Sequence, residues 1–286
     1  MTNKTKGILW MLVSVMGFTA MSIVIKYIPN IPIYEKLFLR NLINCLMSFV
    51  FILKNKKSLK IDRKFIPFVF GRSLFGSLGM AANFYAIEHL TIADANMLNK
   101  LSPVFVTICA CYFLKEKIDK KQIIGIIFML LAVIFVVKPG NSFTLLPSLV
   151  GLFGALTAGF SYTIIRYLNN KVEAEVIIFY FSLTTVLGTL PYMLLNFIKP
   201  NLIELMFLIG IGVSATFGQF GLTYAYKFAP ASEVSIYNYT IILTGMLAGY
   251  LVFGEIPDTY SIIGGTIIII TAIYLYLHNK KKEKIE

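Results

Sequence analysis

The sequence predicts an all-α integral membrane protein of ten transmembrane helices, arranged as two inverted five-helix repeats. Three observations carry that expectation. Of the 286 residues, 57% are hydrophobic and 14% charged, with a mean hydropathy of +0.77, whereas soluble domains run nearer about 45–50% apolar and about 25% charged. The apolar residues gather into ten runs, each close to the roughly 20 residues a spanning helix needs. The chain also resembles itself when slid by 139 positions. Ten spans leave room for short loops only, which excludes a large extramembrane domain and a soluble enzyme.

The runs fall at 7–27, 33–53, 65–88, 93–114, 122–138, 148–168, 176–197, 202–226, 231–253 and 259–278. The first follows Lys4 and Lys6, as in a signal peptide, but no small-residue cleavage site follows it and further spans do, so it is read as a helix that stays. The second carries Glu35, Lys36, Arg40, Asn41, Asn44 and Ser48. Glu35 and Lys36 sit near its outer end and are expected in solvent. Arg40 lies deeper, either locking the bundle through a salt bridge or backbone carbonyls, or meeting an anionic group of a bound molecule. The third has Arg72, Gly76, Gly79 and Asn83 on one stripe. Arg72 is expected to snorkel to the cytoplasmic side, the glycines allow close helix approach, and Asn83 is a candidate lining residue.

In the fourth run Asn96, Asn99, Lys100, Pro103 and Thr107 follow i, i+3, i+4, i+7, i+11 and are expected on one helical face. Pro103 removes a backbone donor and frees the carbonyl of Asn99. Lys100 either snorkels or faces a cavity; its polar neighbours favour the cavity, since charge inside a bilayer turns toward water or a partner. The eighth run offers Thr216, Gln219 and Thr223 beside Gly212 and Ala215. The ninth offers Ser232, Ser235, Tyr237, Asn238 and Tyr239, whose tyrosines either form an aromatic wall for a cation or simply pack. The tenth leads into Lys280-Lys281-Lys282-Glu283-Lys284, a solvated anchor.

Glu88, Asp94, Glu233 and Glu255 fall near span ends and read as interface residues, although burial would let any of them take up a proton. His89 and His278 flank spans. Cys45, Cys109 and Cys111 lie within apolar runs, and a lone C-x-C pair supports neither a zinc site nor a disulfide framework. The net charge of +12 comes from topogenic lysines, with no nucleic-acid-binding motif beside them. With the N-terminus in the cytoplasm, 19 of the 26 basic residues fall on that side, which places both termini there, in an inner (plasma) membrane.

The repeat register is the most informative feature. At an offset of 139, Gly71 meets Gly210, Gly79 meets Gly218, Tyr85-Ala86 meets Tyr224-Ala225, and Asp94 meets Glu233. Asn99 meets Asn238, Glu116 meets Glu255, Asp119 meets Asp258, and Gly125 meets Gly264; Lys26-Tyr27 meets Arg166-Tyr167 at 140. Halves 1–140 and 141–286 with five spans each must enter the membrane in opposite senses. Such inverted repeats hold a midplane site and open it alternately to either side. Ile242 stands where Pro103 would be matched, so a break in the fourth span need not recur in the ninth.

The stretch from Phe84 to Gly140 resembles the EamA module of the drug/metabolite transporter superfamily. The hallmarks are Ala93, Ser102-Pro103, Leu114-Lys115-Glu116, Gln122 and Gly125, with a looser copy ending Phe253-Gly254-Glu255 and with Arg40 resembling the family's second-span arginine. The resemblance implies a ten-helix metabolite carrier and leaves its cargo open. No P-loop, hydrolase motif or pore-loop filter is present, and no cofactor or metal site is expected. The expectation is therefore a secondary carrier whose partners are a small-molecule substrate, a coupling proton or ion, and the lipid bilayer, with no nucleic acid. Its site would lie between spans 3, 4, 8 and 9. Lys100 would attract a carboxylate there, Asn99, Asn96, Asn238, Ser235, Gln219 and Asn83 would hydrogen-bond, and Tyr237 or Tyr239 would pack. Amino acids and related zwitterions, S-adenosylmethionine included, are the leading cargo. The alternatives are an organic cation such as choline or a drug and, in another class, a membrane enzyme or lipid flippase.

Overall fold

The computed structural model describes residues 2–115, 119–138, 142–168, 171–229 and 234–282, and no strand occurs among them. The helices are α1 (Asn3–Tyr27), α2 (Ile33–Lys54), α3 (Ile66–His89), α4 (Ile92–Asn99), α5 (Ser102–Leu114), α6 (Lys120–Val137), α7 (Ser142–Leu168), α8 (Ala174–Leu195), α9 (Leu202–Phe228), α10 (Thr240–Phe253) and α11 (Thr259–Lys282). Short 3-10 turns precede α3 (Arg63–Phe65) and α10 (Ser235–Tyr239). Their starts follow from side chains that accept orphan N–H groups. Thr2 caps α1, Thr91 caps α4, and the Asp119/Gln122 and Asn201/Glu204 pairs form reciprocal capping boxes on α6 and α9.

Among the described residues, nine helices are long and apolar enough to cross a membrane. The fourth run, 93–114, in which Pro103 argues for a break, is two pieces, α4 of 8 residues and α5 of 13. Proline is the reason. Pro103 has no N–H to return to Asn99, so the chain tightens: the Leu101 N–H donates to Leu98 O at 3.1 Å and the Val104 N–H to Leu101 O at 2.9 Å. Pro103 then sits in the first turn of α5, where a missing donor is tolerated. The expected single face from Asn96 to Thr107 therefore does not exist. The ninth span is also irregular, against expectation. Its first described turn, Ser235–Tyr239, is 3-10 rather than α, and the Thr240 hydroxyl donates to Tyr237 O at 2.6 Å.

The molecule is inside-out relative to a soluble domain. Leu53, Phe70, Ile134, Leu187, Phe217 and Ile270 are exposed, while Ser14, Asn41, Asn44, Ser73, Ser161 and Ser182 are buried. An apolar surface of that extent requires lipid as its solvent. The principal contacts are α1 on α9, α3 on α7, α2 on α8, α6 on α11, α2 on α9, α3 on α8, α5 on α7, α1 on α10 and α4 on α10. The α1–α9 seam rests on small residues. A Cβ at Gly17 of α1 would stand 2.6 Å from the Gly218 nitrogen of α9, and one at Gly221 would stand 2.6 Å from the Ser14 nitrogen. Backbones in contact leave no room for a side chain, and the Ser14 hydroxyl uses the proximity to donate to Gly218 O at 2.7 Å.

Candidate functional site

The two irregular spans meet in the bundle. Lys100 closes α4 at its C-terminus, next to the N-terminus of α5. Its ammonium donates to the side-chain oxygen of Asn238, in the 3-10 turn before α10, at 3.0 Å. Among the described residues no carboxylate forms an ion pair with it. Asn96, 5% exposed, lies against Gly245 of α10, and its amide nitrogen has no acceptor. An ammonium held only by a neutral amide, an unmet amide donor and the positive end of α5 together present a locus that favours an anion.

The remaining expected lining residues are more scattered. Asn99, Ser235, Gln219 and Asn83 are half-buried, and no recorded side-chain bond links them to Lys100. Tyr237 packs with Met11, Ala225 and Val234, whereas Tyr239 packs on the main core. The two tyrosines thus serve different clusters. Thr216 and Thr223 return their hydroxyls to carbonyls of their own helix, Gly212 and Gln219. A groove of about 580 Å³ between α1 and α9 is lined by Leu9, Leu12, Val13, Met16, Gly17 and Phe217, and it faces lipid rather than the polar locus. Ser232, Glu233 and Glu116 lie outside the described residues.

One end of the bundle is closed by paired charges. The Lys26 ammonium pairs with Glu255 and donates to Leu90 O, while the other Glu255 oxygen accepts the Ile92 N–H at 2.9 Å. Lys36 pairs with Glu88 and donates to Ile25 O at 3.1 Å. Lys138 joins Asp94 at 3.1 Å to Asp258 at 2.8 Å, and Glu35 accepts the Ile198 N–H at 2.8 Å. Glu35 and Lys36, expected in solvent, are 1% and 0% exposed. Lys36 is held there by its Glu88 partner, whereas Glu35 has only the Ile198 N–H and its second oxygen is left without a hydrogen bond. Burial lifts Asp258, but the Lys138 ammonium and the Ser261 N–H outweigh it and hold the carboxyl below its ordinary range. Burial likewise depresses Lys138, and the two carboxylates outweigh it and raise the ammonium.

The opposite end is more lightly tied. Lys57 reaches Glu173 and Glu175 at 2.7 and 2.9 Å, and Asp119 accepts a bond from His278 at 2.7 Å. At the sealed end, by contrast, His89 stacks on Tyr85. Arg72 does not snorkel. Its guanidinium turns along α3 away from the Ile66 end and lies over Gly76, where a Cβ would come within 2.7 Å of Nη1, and it stacks on Phe181 of α8 at 3.8 Å. Arg40 makes neither expected lock; its Nη1 donates to the side-chain oxygen of Asn41 at 2.9 Å. Sequence reasoning missed the Lys26–Glu255 and Lys138–Asp258 pairs, because residues so far apart in the chain announce no partner.

Apolar crossing helices, two interrupted spans meeting at a lone cation and a charge-sealed end define a polytopic membrane transporter rather than an enzyme. The chain belongs to the EamA-like transporter family, whose model matches residues 5–138 and again 145–277. A pseudopaline exporter of Pseudomonas aeruginosa is 30% identical over 272 residues, covering 94% of this chain and 95% of the relative. An S-adenosylmethionine uptake transporter of Rickettsia prowazekii is 25% identical over 282 residues, covering 96% of this chain and 94% of the relative. A solved crystal structure shares the fold at a TM-score of 0.64 and 15% identity, covering 95% of this chain and 96% of that one. The protein is a multi-pass transporter of small metabolites.

Proposed function

We propose that the chain is a secondary carrier of carboxylate-bearing zwitterions, amino acids or S-adenosylmethionine, and that they bind where the two interrupted spans meet. The observation that carries this reading is the Lys100–Asn238 bond at 3.0 Å between spans four and nine, with no acidic partner for the ammonium among the described residues. A substrate carboxylate supplies the missing charge, replaces Asn238 on the ammonium and draws the two spans together. Asn96 and Asn99 on α4 supply hydrogen bonds in this reading, and Ser235, Gln219 and Asn83 are the further lining residues it assigns. The S-adenosylmethionine relative supports that cargo.

Ten spans in two inverted halves, 1–140 and 141–286, support alternating access. Exchanging the halves maps α1 on α9 onto α3 on α7, α2 on α9 onto α3 on α8, and α5 on α7 onto α1 on α10, each a contact the molecule makes. Asp119 and Asp258, paired by the repeat register, each accept the N–H three residues on, at 2.9 and 2.8 Å. The distribution of basic residues puts both termini in the cytoplasm of a plasma membrane. The Lys26–Glu255 end is then the outer gate, closed in this state.

The test is a thermal-shift panel on the solubilised protein with amino acids, S-adenosylmethionine, organic acids, nucleosides and quaternary amines. A ligand at 100 times its dissociation constant stabilises the native state by about 2.7 kcal/mol. Stabilisation by a carboxylate-bearing compound that is lost in Lys100→Ala is the expected result. Stabilisation by quaternary amines alone, retained in Lys100→Ala, overturns the assignment.

A further inference from the structure

Two more cations lie in the membrane interior without a counter-ion. Arg40 and Arg72 are 5% and 6% exposed. Arg40 Nε and Arg72 Nε and Nη1 have no acceptor, and among the described residues no Asp or Glu pairs with either guanidinium. The contrast with the sealed end is informative. There Lys26, Lys36 and Lys138 are each matched to a carboxylate. Removing an unmatched charge from water costs several kcal/mol, and two positive charges in one region add repulsion.

The surroundings hold both groups in place. Phe181 stacks against the face of the Arg72 guanidinium, Gly76 leaves room for Nη1, and the Ser161 hydroxyl of α7 donates to Arg72 O at 3.0 Å. Asn41 donates its amide to Leu37 O at 2.8 Å, which turns its oxygen onto Arg40. The Asn41 amide beside Arg40 also reaches Met80 Sδ of α3 at 3.6 Å, and α2 and α3 both pack on α8, with α7 against α3. Four helices, α2, α3, α7 and α8, therefore enclose two fixed, donor-rich planar cations. Guanidinium forks match the geometry of carboxylate and phosphate oxygens.

We infer that Arg40 and Arg72 form a second anion-binding subsite, which takes a carboxylate or phosphate group of the cargo beyond the carboxylate assigned to Lys100. The inference rests on the carrier reading above and narrows its zwitterions to those with a second anionic group, which sets S-adenosylmethionine and the monocarboxylic amino acids aside as cargo. In this state the subsite is shut off from water, as an occluded site of an alternating-access carrier is.

The full chain in nanodiscs is titrated with alanine, which bears one carboxylate, with iminodiacetate, which bears two on a zwitterion, and with inorganic phosphate. Iminodiacetate or phosphate is expected to bind at least about tenfold more tightly than alanine, a margin of about 1.4 kcal/mol. Which of the two does so identifies the anionic group. That margin disappears in R40Q and in R72Q. Melting without ligand supplies an independent readout: neutralising an uncompensated charge leaves the melting temperature of R40Q and R72Q at or above that of the parent. Equal binding of all three compounds, a margin that survives in both variants, or a ligand-free melting temperature lowered in both variants overturns the proposal. Where no compound binds, the ligand-free melting decides alone. Loss of alanine binding in Lys100→Ala tests the carrier reading separately.

Discussion

Glu255→Gln is the sharpest perturbation of the sealed end. Glutamine keeps the side-chain shape and an oxygen for the Ile92 N–H but removes the charge opposite Lys26. The two side chains are 18% and 12% exposed. The pair therefore falls between surface pairs worth about 0–1 kcal/mol and buried pairs whose disruption costs about 3–5 kcal/mol. An intermediate value of about 2 kcal/mol corresponds to a roughly 30-fold rise in the population open at this end. Ala93, on α4 just beneath the pair and 1% exposed, is a suitable reporter. With Cys45, Cys109 and Cys111 replaced by serine, an Ala93→Cys chain is labelled by a membrane-impermeant maleimide at a rate that follows the open population. Glu255→Gln should raise that rate by the same factor. An unchanged rate, in protein whose melting shows it folded, refutes the claim that this ion pair holds the end shut.

Four further outcomes follow from the geometry. Asp119→Ala removes the capping box on α6 and should cost about 1 kcal/mol in denaturant unfolding; a difference below experimental error would show the cap to be idle. The hydrogen bond from His278 holds the Asp119 carboxyl below its ordinary value of 3.8; burial opposes it, and the backbone N–H groups of Gln122 and Lys121 add to the lowering. Its stabilisation is thus complete above that value and is lost as pH falls through the lower folded-state value. The stability gap between the parent and Asp119→Asn should close on acidification, and a gap that widens would invert the sign. Pro103→Ala restores an N–H for Asn99 O and favours a continuous fourth span; the melting temperature should hold or rise while uptake in proteoliposomes falls, and undiminished uptake would show that the break is dispensable. Gly221→Val drives a side chain into the Ser14 backbone and should prevent folding, whereas the same change at Gly188, which has nothing within 4 Å, should be tolerated.

How much of this was legible in the chain varies residue by residue. The span limits were, because a transmembrane helix is specified by local composition and length, and α2, α3 and α9 begin within a residue of where hydropathy starts them. Lys100 and Asn238 were each singled out by polarity inside an apolar run, and the repeat register placed Asn238 opposite Asn99. The break at Pro103 was only partly legible, since a proline removes one donor without stating whether the helix bends or ends. The 3-10 turn at Ser235–Tyr239 carries no proline and had no such signal. Glu35, Lys36 and Arg72 were misplaced for a common reason. A charged residue near a span end reaches water in an isolated helix, and only its neighbours decide otherwise.

The sequence by itself determined that the chain enters a membrane and roughly where it crosses, because these depend on hydrophobicity and residue type counted along the chain. Tertiary structure decided which charges are matched. Lys26 meets Glu255 across 229 positions of the chain and Lys138 meets Asp258 across 120, while among the described residues Arg40, Arg72 and Lys100 meet no carboxylate. A charge in low dielectric is governed by what lies within a few ångströms of it, and that distance is set by packing between helices rather than by position in the sequence.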